Sequence, residues 1–162
     1  MLRTVLAVCC LAAVSLIADA ADAAFKPRLD QVSVNGELFY KAGEKLDQPR
    51  KLEVTLPVKV EYVFTNVGEK NADKPLAVFV HFTRDGKIAA GGDFKPSPAT
   101  TDWAPGKQMR FVQRAYLEKQ KGSELAVLIG LYDAAGKGGR LRLENPGLGK
   151  DLRLPLGTLK VR

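Results

Sequence analysis

The chain has 162 residues, 46% of them apolar and 27% charged, with a formal net charge of +7. That balance excludes wholesale disorder, and the length suits one domain better than two. The positive excess is scattered, with no block of one sign, which describes a solvated surface and at most an affinity for anionic partners such as lipid headgroups, lipopolysaccharide or acidic polysaccharide.

Residues 1–23 read as a secretory signal peptide. Arg3 supplies a positive start, and Val5 to Ile17 is an apolar run too short for a membrane span. Ala18-Asp19-Ala20 and Ala21-Asp22-Ala23 both fit the A-x-A rule, so cleavage is expected after Ala20 or after Ala23. A β-sandwich domain over residues 24–162 would follow. Cys9 and Cys10 are the only cysteines and lie inside the apolar run. The mature chain would carry none, so an ordinary hydrophobic core must hold it in a periplasmic or extracellular setting. Leu6-Ala7-Val8-Cys9 resembles a lipobox faintly, but Val8 is bulky and the apolar run continues past it. No later stretch is apolar enough to span a membrane.

Leu29 to Val34 starts the strands. Asn35-Gly36 is a hairpin signal, since a type I′ turn needs positive φ at both central positions, and Leu38 to Tyr40 returns. Lys41 to Lys51 is a polar loop. Leu52 to Asn66 alternates strictly: Val54, Leu56, Val58, Val60, Tyr62 and Phe64 share one face, with polar residues on the other. Pro57 cannot donate to a ladder, so the strand lies at an edge there or changes sheets. Leu76 to Arg84 is apolar on both faces, as befits a central strand. Asp85-Gly86 turns it back into Lys87 to Ala90.

Gly91 to Gly106 is a long Pro/Gly-rich loop with the only tryptophan, Trp103. Gln108 to Leu117 and the apolar run Glu124 to Asp133 are further strands, the latter central. Gly136 to Gly139 is a turn. Leu141 to Leu143, Leu152 to Leu156 and Leu159 to Val161 are short strands, with loops at Asn145-Pro146-Gly147 and Gly157. No helical periodicity recurs. Short strands separated by Gly/Pro/Asn turns predict an all-β, two-sheet antiparallel sandwich.

Val78-Phe79-Val80-His81-Phe82, Asp85-Gly86, Asp93, Pro96, Thr101, Trp103, Pro105-Gly106 and Leu131-Tyr132-Asp133 with Arg140 form a recognisable series. It resembles the immunoglobulin-like β-sandwich domain at the C-terminus of prokaryotic dolichyl-phosphate-mannose-type glycosyltransferases, and of related secreted proteins. The resemblance covers Leu76 to about Leu143. It implies an immunoglobulin-like fold. It carries over no transferase activity, because the polytopic catalytic part has no counterpart here.

His81 is the single histidine, so two-histidine zinc and multi-histidine copper sites are excluded. With no mature cysteine there is no thiol nucleophile, and no G-x-S-x-G presents a serine. His81 either pairs with Asp93 or Asp85 in a polar site, or bonds the neighbouring strand as a structural histidine. Asp85, Asp93, Asp102 and Asp133 lack the spacing of a calcium loop, so neither metal nor cofactor is expected. Trp103 and Tyr132, like Tyr62 and Tyr116, are candidates for stacking on a sugar. Against that, Trp103 fits a plug over the sandwich end. Gly136-Lys137-Gly138-Gly139-Arg140 lacks phosphate-loop spacing. Arg140, Arg142, Lys150, Arg153, Lys160 and Arg162 make the C-terminal region basic. Nucleic acid fits poorly, whereas an anionic envelope surface is compatible.

The expectation is an exported, non-catalytic interaction or scaffolding module whose partner is an envelope protein or a glycan. A carbohydrate-binding module using the Gly91–Gly106 loop is the alternative, and a hydrolase or metal-dependent enzyme around His81 and Asp93 is the next. The ligand-binding candidates are Trp103, Asp93, His81 and Tyr132.

Overall fold

A computed structural model describes residues 24–45, 48–136 and 139–162. The expected signal segment, and two residues in each of the loops at 46–47 and 137–138, lie outside that range. Ten strands occur: β1 (Pro27–Val34), β2 (Glu37–Lys41), β3 (Arg50–Val54), β4 (Val58–Asn66), β5 (Ala77–Arg84), β6 (Lys87–Gly91), β7 (Gln108–Ala115), β8 (Glu124–Tyr132), β9 (Arg140–Leu141) and β10 (Leu154–Val161). The helical content among the described residues is two single 3₁₀ turns, Thr100–Asp102 and Glu118–Gln120.

The strands form two sheets, ordered β2-β1-β4-β7 and β3-β10-β8-β5-β6, with β9 paired to the end of β8. Alternation decides which side chains enter the space between them. Leu29, Val32 and Val34 of β1, and Val58, Val60, Tyr62 and Phe64 of β4, meet Val78, Val80 and Phe82 of β5 and Leu125, Val127, Ile129 and Leu131 of β8 in one buried cluster. Burying each such side chain stabilises the fold by about 1.5–3 kcal/mol before ordering costs. β5 and β8, the two doubly apolar strands, pair with each other inside the larger sheet.

The hairpin turns follow the local chemistry. Asn35 and Gly36 have φ of 50° and 86°, and Asp85 and Gly86 have 52° and 74°. Both pairs therefore lie in the left-handed region that tight hairpins require.

Of the two readings of Pro57, the change of sheets holds: β3 belongs to the larger sheet and β4 to the smaller, with the break at Pro57, which has no N–H to give a ladder. Two expectations are corrected. The sheets are not wholly antiparallel, because β3 runs parallel to β10. The two are distant in sequence, so no hairpin forces opposite directions. Gly157 is no loop. It sits within β10, at a register shift between Pro155 and Gly157, with φ of 147°. A Cβ there would meet the Arg50 carbonyl oxygen at 2.4 Å and the Phe39 ring at 3.0 Å.

Candidate functional site

β5 has two apolar faces because its second face is also partly covered. Ala77, Phe79, His81 and Thr83 point away from the space between the sheets, and Ala77, Phe79 and Thr83 are buried there. Across the ladder, Phe79 faces Gly130, and Ala77 faces Tyr132, which faces Arg140 of β9. The Phe79 ring lies over Gly130: a Cβ on that glycine would come within 2.4 Å of it, and within 2.9 Å of the Leu152 carbonyl oxygen. Arg140 closes the top, its guanidinium carbon 5.3 Å from the Phe79 ring centre. One of its amino groups donates to the Asp151 carbonyl at 3.2 Å.

Beside this stack opens a cleft of about 210 Å³, lined by Phe79, His81, Asp93, Tyr132 and Arg140. His81 packs on Phe79 with ring centres 4.8 Å apart, and Tyr132 stands 6.3 Å from Phe79 on another side. Asp93 arrives just past β6. Its Oδ1 accepts the Val80 N–H at 3.1 Å, while Val78 exchanges both backbone bonds with Phe94 and the Gly92 N–H bonds the Val80 carbonyl. The Asp93 carboxylate thus supplies the acceptor that the irregular backbone at Gly92–Asp93 fails to bring to Val80.

Three of the four candidate ligand residues, His81, Asp93 and Tyr132, therefore share one cleft. No hydrogen bond joins His81 to Asp93 or Asp85. Instead the Nδ1 of His81 is buried and has no partner among the described residues. A histidine kept for structure alone would bond a neighbouring strand, since a buried unpaired polar atom costs about 1–3 kcal/mol. Burial pushes the imidazole below its ordinary pKa; Asp93 opposes this, and Arg140 and Arg153 act in the same direction as burial. A neutral imidazole can donate from one nitrogen and accept at the other.

Trp103 is elsewhere, and its reading as a sugar platform is corrected. It is fully buried, stacked on Phe111 at 5.5 Å and against Phe64 at 5.6 Å, and its indole N–H donates to the Pro98 carbonyl at 3.1 Å. Asn66, also fully buried, holds the loop beneath it. Its amide donates to the carbonyls of Trp103 and Lys70 at 2.8 Å each and accepts from Gly68 at 3.0 Å.

Larger clefts lie near Asp30 (about 560 Å³) and beside Ala24 and Leu141 (about 440 Å³). Among their charged groups, Asp30 takes bonds from Arg28 and Thr65, and Lys74 pairs with Asp133. In the basic C-terminal region, Lys160 and Arg162 both pair with Glu53 and Arg153 with Asp151. No group of three metal-ligating side chains occurs among the described residues.

Phe79 and Arg140 are the members of the cleft absent from the candidate ligand residues. Both stand in the resemblance series, and the placement of Phe79 on the outward face of β5 was available from alternation. That Arg140 would reach that face was not.

A scan against protein-family models and a search of curated proteins found no match to the chain.

Proposed function

We propose that the chain is an exported immunoglobulin-like β-sandwich that works by binding, in the periplasm or cell envelope, through the cleft formed by Phe79, His81, Asp93, Tyr132 and Arg140. The observation that carries this reading is the convergence of His81, Asp93, Tyr132, Phe79 and Arg140 on one open cleft. A few convergent polar groups on aromatic walls are the usual composition of a ligand site. The likeness of Leu76–Leu143 to an accessory domain points the same way, toward a module without chemistry of its own.

Binding is favoured over hydrolysis because the pair on which hydrolysis would rest is not formed. Asp93 spends Oδ1 on a backbone amide, and a general base needs a bonded orienting group or a nucleophile within reach. The carbohydrate reading moves with the geometry, from Trp103 to the cleft.

The test is retention. Immobilised protein is incubated with envelope extract, and the retained protein and glycan are identified. The parent is expected to retain a component that Tyr132→Ala and Arg140→Ala each lose at unchanged melting temperature. Equal retention by the folded variants would refute the cleft as the binding surface.

A further inference from the structure

Arg140 is the unusual member of the cleft. Among the described residues it forms no ion pair, although Asp93 lines the same cleft. Its guanidinium instead lies over the Phe79 ring and donates through one amino group to a backbone carbonyl. It keeps donors in the fork geometry that matches a carboxylate. Arg153 adds positive potential at His81. The counterpart is Asp93, whose Oδ1 is engaged and whose Oδ2 has no partner among the described residues, leaving an acceptor for a hydroxyl.

We propose that the cleft holds a single carboxylated sugar residue of the uronic-acid type. Its carboxylate lies on Arg140, a ring hydroxyl on Asp93 Oδ2, and its ring between Tyr132 and His81. This rests on the cleft being the binding surface. The volume of about 210 Å³ equals about seven waters at about 30 Å³ each. It falls below the range of about 300–1,000 Å³ typical of drug-sized ligands. It therefore gives walls to one ring.

The composition provides the reporters. His81 and Trp103 are the only histidine and tryptophan, one in the cleft and one in the core. The labelled protein is titrated with sodium D-glucuronate, D-glucose and N-acetylglycine, following side-chain NMR signals. Glucuronate is expected to move the His81 and Tyr132 signals saturably and to leave the Trp103 indole in place. Glucose is expected to move neither, and Arg140→Gln to weaken the glucuronate response at least tenfold. Glucose matching glucuronate, or Arg140→Gln titrating like the parent, would overturn the carboxylate assignment. N-acetylglycine matching glucuronate would overturn the sugar in favour of a carboxylate at a peptide end. Silence with all three probes would overturn the ligand class. The cleft itself would still stand or fall on retention from extract, which uses none of these probes.

Discussion

Gly130 shows how much one missing methyl can organise. Its φ lies outside the left-handed region, so conformation does not require glycine there. Space does: the Phe79 ring and the Leu152 carbonyl occupy the volume of a Cβ. Gly130→Ala must displace Phe79, and with it the surface on which Arg140 rests. Overpacking of this kind costs about 1–3 kcal/mol. The expected result is a lower urea midpoint with unchanged slope, together with loss of the His81 response to any cleft ligand. An unchanged midpoint would show that Phe79 is free to move. Alternation placed Phe79, His81 and Thr83 on one face of β5. Nothing local in the sequence announces that a glycine on the next strand makes room for a ring, because that fact belongs to the register between β5 and β8.

The loop between β6 and β7 is the element on which two readings competed. Its composition marks it as irregular, and its tryptophan suited either a binding platform or a plug. The choice rests on contacts from β4 and β7, the Phe64 and Phe111 rings and the Asn66 amide, which are distant in sequence. Trp103→Ala should lower stability by about 3–5 kcal/mol, as large-to-small changes in a core do. Under conditions where it stays folded, it should leave the retained envelope component unchanged. Loss of retention without loss of stability would restore the platform. Asn66→Ala should also be damaging, because it strands two buried partners, the Trp103 carbonyl and the Gly68 N–H, at about 1–3 kcal/mol apiece. Strands with strong alternation or double apolar faces were legible because burial writes itself into side-chain type. The change of sheets at Pro57 was legible as a choice of two. The parallel β3–β10 pair and the continuity of β10 through Gly157 were not, since both depend on pairing with strands elsewhere in the chain, β3 and β8.

For the whole molecule, the single histidine separates two pH ranges that most proteins mix. The folded state keeps His81 below its ordinary pKa of about 6.5, chiefly through burial, with Asp93 opposing and Arg140 and Arg153 reinforcing. The unfolded chain therefore takes up this proton at a higher pH than the folded one. Stability is fully present above about pH 6.5 and is lost as pH falls toward the folded value, then levels once both states are protonated. The carboxylates with lowered pKa behave in the same sense but further down. Asp133 is held by Lys74, Asp151 by Arg153, Glu44 by Arg50 and Glu124 by Lys51. Their contribution is present above about pH 4–4.5 and lost below it. The urea midpoint should therefore decline shallowly from pH 7 to pH 5, and again, separately, below about pH 4. His81→Gln should flatten the upper decline and leave the lower one intact. If the upper decline survives that substitution, a group other than the cleft histidine controls it. A carboxylate bound on Arg140 would neutralise one of the cations that lower the imidazole pKa and bring the folded value closer to the unfolded one, so saturating glucuronate should make the upper decline shallower in the parent and leave the already flat profile of His81→Gln unchanged in shape.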